Sequence, residues 1–166
     1  MTTTIRGTDN FDTAQRLTAG TAQNTTSGTA IDFTGIPSWA KRVTVSLAGV
    51  STNGVSNLLL RFGSSSGGIE STGYVCTANY GTSAVSDTTG ILLSTINTAA
   101  YVWWGAVVLT NISGNSWEAT CNTANASQSN ASAGGKTISA TLDRIRLTTV
   151  NGTDTFDAGS VNIMYE

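Results

Sequence analysis

Short apolar runs with a period of two residues recur along this chain and constrain its fold more than any other feature. In RVTVSLAGV, residues 42–50, Val43, Val45 and Leu47 fall on one face of a strand, and the hydroxyl residues between them fall on the other. Clusters of Gly, Asn, Ser and Asp separate these runs, and no segment carries apolar residues at helical spacing. The pattern predicts an all-β fold with almost no helix, an antiparallel β-sandwich of jelly-roll type with about nine or ten strands.

The composition argues against several functions. Charged residues make up 11% of the 166 residues, against roughly 25% in a typical soluble domain, so hydroxyl and amide groups must form most of the surface. With eight Lys and Arg against ten Asp and Glu, the chain has no basic footprint for nucleic acid. No stretch approaches the roughly 18 apolar residues of a membrane span, so we expect no membrane insertion. The length predicts one domain, a β-sandwich over residues 26–166 that follows an N-terminal arm or anchor, residues 1–25.

The absence of histidine argues against an enzyme. Ser-His-Asp and Cys-His nucleophile systems cannot be built without it, and mixed zinc sites lose their usual ligand. The two lysines, Lys41 and Lys136, lie in no nucleophile motif, and Lys136 follows SAGG, which predicts a solvated loop tip. The sequence therefore predicts no catalytic residue, no metal site and no cofactor.

Two cysteines, Cys76 and Cys121, are too few and too widely spaced for a zinc ribbon. Each lies in a strand-like stretch, TGYVC or WEATC. This context favours two small buried hydrophobic side chains over a disulfide.

The element G-T-D-x-F-D occurs at residues 7–12 and again at residues 152–157. The second copy places Asp154 and Asp157 three residues apart between two glycines, a spacing typical of turns in which Asp bonds to its own backbone. We favour a turn with Phe156 buried beneath it and the two acids in solvent. A bound cation is the alternative, although no glutamate follows to complete an EF-type loop.

One run, YVWWGAVVLT at residues 101–110, is apolar on both faces of a strand. An outer sheet face normally meets water, so a second apolar face predicts a covering layer, and we expect a second subunit to provide it. The expected subunit interface includes Val102, Trp104 and Val108. The runs Leu58–Leu60 and Ile91–Leu93 fit the same interpretation, or belong to strands that loops bury.

Aromatic rings and amides offer the remaining recognition chemistry, and Tyr80 is the most suitable ring. It lies in CTANYGTSAVSD, a polar stretch that predicts a loop with little core for the ring to fill. There Tyr80 could stack on a sugar, Asn79 could donate and accept, and Asp87 could accept from hydroxyls. The loops at residues 64–70 and 123–135 could complete such a glycan site.

Four motifs occur in order within residues 20–74 and 140–166: IDFTGIPSW, GVSTNG, GGIE and a closing Phe-Asp-Ala-Gly. These stretches resemble a β-rich module found at the C-terminal end of bacteriophage tail-fibre and related virion proteins. The resemblance implies a virion surface protein of a phage or phage-derived particle, a fibre or spike adhesin, generally a homotrimer, that binds host surface polysaccharide. It supplies no catalytic residue.

The long shaft that usually precedes this module does not precede it in this sequence. This difference keeps an alternative open, a capsid-decoration protein of the cement or head-fibre kind with a structural role. In that case the N-terminal arm would hold other virion proteins.

Overall fold

The computed structural model describes residues 17–166, which form two antiparallel sheets, consistent with a β-sandwich. Sheet A contains eight strands in this spatial order: β1 (Thr18–Ala19), β14 (Phe156–Tyr165), β4 (Arg42–Thr52), β10 (Trp103–Ser113), β11 (Ser116–Ala124), β12 (Ser129–Thr137), β7 (Val75–Tyr80) and β8 (Ser83–Asp87). A ninth strand, β2 (Gln23–Asn24), also pairs with β14. Sheet B contains β3 (Ala30–Thr34), β13 (Arg144–Thr149), β5 (Leu58–Ser64) and β6 (Gly68–Ile69), and β9 (Ile91–Leu92) pairs with β5. The all-β prediction is confirmed.

The core lies between the sheets and follows from the period of two. Val43, Val45 and Leu47 of β4 are buried, as the alternation predicted, while Thr44 and Ser46 lie on the opposite face. A fully buried Val, Leu or Phe contributes about 1.5–3 kcal/mol by leaving water, so this face fixes the register of the strand. No helix in residues 17–166 has the length and hydrophobicity to cross a membrane.

The runs Leu58–Leu60 and Ile91–Leu93 are buried within the single chain, with exposures of 0–1%. β5 lies inside sheet B between β13 and β6, and β9 also pairs with it. These two runs are therefore strands that the fold itself buries, and they provide no exposed surface for a second subunit.

Residues 129–137 form a strand, which corrects the loop expected over residues 123–135. β12 pairs with β11 on one side and with β7 on the other. The strand lacks an apolar face because its inward residues, Asn130 and Ser132, are polar, so its sequence carries no hydrophobic alternation. Lys136 is consequently not at a loop tip: its Nζ lies 2.9 Å from a carboxylate oxygen of Glu70, and its side chain is only 9% exposed.

The N-terminal side of the chain lies partly on sheet A. Thr18 and Ala19 pair with the end of β14, Gln23 and Asn24 pair further along it, and Thr25 is fully buried. The first G-T-D-x-F-D element, residues 7–12, lies outside the described residues.

Candidate functional site on sheet A

The outer face of sheet A, which points away from sheet B, is broad and almost free of charge. Within residues 17–166, its ionisable side chains include Arg42 and Glu118, both near the end where β4 begins, and Arg42 there pairs with Glu166 at 3.3 Å. The remaining positions are mostly small and uncharged; across neighbouring strands they include Met164, Thr44, Val108, Thr120, Ala133, Thr77, Asn162, Ser46, Ala106, Asn122, Ala131 and Asn79. Such a face has little capacity to attract a highly charged partner over distance.

Within residues 17–166, Trp104 is the large aromatic side chain that projects from this face. Its side chain is 58% exposed, whereas the preceding residue, Trp103, is fully buried. The strand period therefore places the two indoles on opposite faces of the sheet, as the sequence predicted, with that of Trp103 in the core and that of Trp104 on the outer face. Val102 is also exposed, and Val108 is half-buried near the middle of the face.

A β-bulge fixes where the indole of Trp104 lies. The pairing of β10 with β4 shifts between Trp103 and Gly105, where β4 contributes one extra residue. Gly49, in this part of β4, has a φ of 68°, and a methyl group on it would lie 3.5 Å from Cζ2 of Trp104 and 3.6 Å from Cγ1 of Val102. Trp104 and Val102 thus both lie next to Gly49. The bulge accounts for this position, because β-bulges change the direction in which nearby side chains project.

Two depressions flank the exposed indole. One, of about 340 Å³, lies over Gly105 and is bordered by Asn122, Ala124, Ser129 and other small residues of β11 and β12. The other, of about 420 Å³, lies between Trp104 and the turn that joins β11 to β12. Both volumes fall in the range of small-molecule sites, and no residue that lines either depression is charged.

Hydrogen bonds hold the walls of the second depression. Oδ1 of Asn125 accepts from the backbone N–H groups of Ser127 and Gln128, which closes the turn between β11 and β12. Nε2 of Gln128 donates to the carbonyl of Ile96 at 2.8 Å, which ties this turn to the segment before β10. On the opposite wall of this depression, Tyr101 packs edge-on against buried Trp103, with ring centroids 6.2 Å apart. We call Trp104, its two depressions and this turn the rim.

The structure separates the three residues expected to form a glycan site. The stretch around Tyr80 is a β-hairpin rather than a loop, with Asn79 exposed on the outer face and Tyr80 half-buried at the turn. Asp87 lies at the far end of β8, about 14 Å from the turn at about 3.4 Å per residue. Its Oδ1 accepts from the backbone and hydroxyl of Thr89. Asn79 and Tyr80 are thus neighbours, but Asp87 is not close to them.

The two loops expected to complete this site, residues 64–70 and 123–135, have their turns at opposite ends of the sandwich. The turn between β11 and β12 lies at the same end of sheet A as Tyr80, because Asn79 pairs with Ala131 near the start of β12. The turn in residues 64–70 follows the end of β5, which begins at the Tyr80 end and runs away from it. Residues 64–70 therefore lie at the opposite end and cannot complete a site at Tyr80.

The second G-T-D-x-F-D element is a turn between β13 and β14, with Phe156 buried as expected. Asp157 is exposed, but Asp154 is only half-exposed, which corrects the expectation that both acids stay in solvent. One oxygen of Asp154 accepts from the backbone of Ser56 at 2.8 Å, and the other accepts from Nδ2 of Asn151 at 2.7 Å. Asp154 thereby joins this turn to the one between β4 and β5. Within residues 17–166, no group of three or more His, Cys, Asp or Glu side chains is arranged to hold a metal ion.

Cys76 and Cys121 are free and buried, which confirms the interpretation as small core residues. They lie on β7 and β11, which β12 separates, and they differ in register by two residues, so their backbones are about 12 Å apart, beyond the roughly 7 Å that a disulfide spans. Burial raises the pKa of the Cys121 thiol to about 11, so this thiol stays protonated at neutral pH.

Sequence reasoning placed Trp104 on the outer face, as part of the expected subunit interface, but missed its polar neighbours. Asn122, Asn125, Ser127 and Ser129 come beside the indole only through the pairing of β10, β11 and β12. Asn and Ser occur throughout the sequence, so nothing distinguishes these four before the strands are aligned.

No family model, curated protein or solved structure matches this chain.

Proposed function

We propose that this protein is a non-enzymatic surface protein of a phage or phage-derived particle, a fibre or spike adhesin that assembles through the outer face of sheet A and binds host polysaccharide. The single observation that carries the assembly is the broad, nearly uncharged outer face, on which Val108, Met164 and rows of Ala, Ser and Thr face outward. The virion role draws on the resemblance of residues 20–74 and 140–166 to phage fibre modules.

The size of the face suits a second copy. Seven strands, from β14 to β8, cross it, so it is about 29 Å wide and, over six residues of strand, about 20 Å long. Its projected area, about 600 Å², is comparable with the roughly 800 Å² that each partner contributes to a standard interface. Small side chains allow neighbouring copies to approach closely, and the absence of charge at the centre of the face removes the cost of burying ions.

A homotrimer and jelly-roll connectivity belong to the same proposal. The trimer follows the resemblance to fibre modules, which generally have three copies. The jelly-roll arrangement is supported by the way the chain alternates between sheets: β3 and β5 lie in sheet B, β4 lies in sheet A, and β13 and β14 again divide between B and A.

Replacing Val108 with lysine is expected to reduce the assembly to monomers at micromolar concentration. The ammonium group would lie in the middle of the face, and burying an unpaired charge costs several kcal/mol. Light scattering after size-exclusion chromatography measures this as a fall of the mass to that of one chain. Val55→Lys is the control, because Val55 is 75% exposed in the turn between β4 and β5, away from this face. A monomeric wild-type protein, or an assembly that withstands Val108→Lys, contradicts the proposed interface.

The particle role is tested by locating the chain on particles from the cells that produce it. Gold-labelled antibody against the folded protein is expected to mark the tail appendages in electron micrographs. Label spread over the head would support capsid decoration instead, and particles that carry no label would reject both virion roles.

A further inference from the structure

We propose that the rim is a saccharide-binding subsite, in which the indole of Trp104 stacks on the apolar face of an uncharged pyranose. This inference rests on the proposed adhesin function and gives it a location. It replaces the site expected at Tyr80 and Asp87 with one built around Trp104, and it assigns Trp104 and Val102 an occupant other than a second subunit.

The indole has the exposure and the fixed position that stacking needs. More than half of the Trp104 side chain is accessible to solvent, and Gly49 and Val102 support one edge of the ring system. A large apolar ring held in one orientation loses little conformational entropy when a ligand covers it, so the contact area is available for binding. Trp104 is the second residue of β10, so its ring lies near one end of the sheet, and both depressions border it.

The polar groups around the indole match the hydroxyls of a sugar. The first depression offers the exposed amide of Asn122 and the hydroxyl of Ser129, and the second offers Ser127 and the ring of Tyr101. Amides and hydroxyls donate and accept, as sugar hydroxyls do. The lining carries no charged residue, so it offers no ion pair to a carboxylate, a sulfate or an ammonium group. The favoured ligand is therefore an uncharged glycan.

The position of the rim separates it from the centre of the proposed subunit interface. Val108 lies four residues further along β10 than Trp104, a distance of about 14 Å. Copies that assemble through the surface around Val108 can leave the rim at the edge of their contact, next to the turn between β11 and β12.

The inference is tested by fluorine NMR on protein that contains 5-fluorotryptophan, which reports its four tryptophans separately. The probes are the methyl glycosides of α-D-glucose, α-D-mannose and β-D-galactose and free N-acetylglucosamine, with glycerol as a polyol control. Loss of one signal in Trp104→Ala assigns that signal. We expect it to shift saturably with at least one sugar, with a Kd of about 1–50 mM, because one stacked ring and a few exchanged hydrogen bonds give weak binding. Glycerol should leave it unchanged.

Variants identify which ring binds. For a sugar that shifts the Trp104 signal, calorimetry should show a loss of affinity of at least about tenfold in Trp104→Ala, as a stacking contact of about 1.4 kcal/mol requires. Trp39→Ala is the matched control, because Trp39 is a second exposed tryptophan, 41% accessible, that packs against Tyr165 at the opposite end of sheet A. The Tyr80→Ala variant tests whether the tyrosine ring of the neighbouring β7–β8 hairpin, rather than Trp104, binds the sugar.

The inference is wrong if no sugar shifts the Trp104 signal at concentrations up to about 100 mM. It is also wrong if Tyr80→Ala abolishes binding while Trp104→Ala leaves binding intact. If Trp104→Ala lowers the number of subunits and no sugar response is seen, the indole belongs to the subunit interface instead. The proposed function fails separately, through unlabelled particles, whatever the sugar titration shows. Conversely, if the antibody labels the tail appendages but no sugar shifts the Trp104 signal, the proposed function stands and this binding site is rejected.

Discussion

Replacing Trp103 with alanine is expected to lower the free energy of unfolding by about 3–5 kcal/mol, the usual cost of deleting a large buried aromatic ring. Trp103 is completely inaccessible to solvent, and its Nε1 donates to Oδ1 of Asn97 at 2.9 Å. Equilibrium unfolding in urea, followed by far-ultraviolet circular dichroism, measures the change as a lower transition midpoint.

The size of the loss has two sources. Removing the indole leaves a cavity, and it also leaves Oδ1 of the buried Asn97 without its hydrogen-bond donor. Asn97 is held in place by its Nδ2, which donates to Oγ1 of Thr52 and to the carbonyl of Ser56. A buried acceptor that loses its donor costs about 1–3 kcal/mol, within the total above. Trp103→Phe separates the two, because it keeps most of the volume but removes the N–H group, and we expect it to cost less than alanine.

Trp104→Ala is the control for this prediction, since it makes the same chemical change one residue later. We expect it to cost less than about 1 kcal/mol, because the indole of Trp104 is mostly in solvent and a surface substitution rarely costs more. Equal losses for the two variants would show that Trp104 is buried by a stable contact, such as a second subunit, or that Trp103 is not in the core.

The alternation of apolar residues was sufficient to predict the class of fold and the opposite faces of this tryptophan pair. Strand period alone requires that neighbours such as Trp103 and Trp104 point in opposite directions. The position of the indole over Gly49 was not predictable, because a bulge is a property of the pairing between two strands and leaves no period in either one.

The candidate site was harder to predict because it depends on which strands become neighbours. β12 was hidden since Asn130 and Ser132 point inward, where the apolar residues of a recognisable strand would lie. Without β12, the polar residues beside Trp104 have no assigned place. Asp87 failed as a partner of Tyr80 for a related reason: a hairpin brings together residues near its turn and separates those at its far ends, however close they are in sequence.

Replacing Gly105 with alanine is expected to destabilise the protein by about 3 kcal/mol or more, through backbone strain combined with overpacking. Gly105 has a φ of 137°, a conformation that residues with a β-carbon rarely adopt. Its position in the sheet leaves no space either, since a β-carbon would overlap the carbonyl oxygen of Asn122 and lie 2.7 Å from Cα of Thr123. Both obstacles are backbone atoms of β11, which pairs with β10 and with β12 and cannot move without breaking a ladder.

Gly114→Ala is the matched control for Gly105→Ala. Gly114 also has a positive φ, of 51°, but it lies in the turn between β10 and β11, where a methyl group would have no atom of residues 17–166 within 4 Å beyond its chain neighbours. Alanine there should cost only the left-handed conformation, about 1–2 kcal/mol. A thermal unfolding midpoint that falls equally in both variants would show that the approach of β11 to Gly105 is not close. If Gly105→Ala instead folds with a larger loss, its Trp104 signal in the fluorine NMR spectrum should also shift, because the indole is held by the bulge that ends at Gly105 and borders the depression above it.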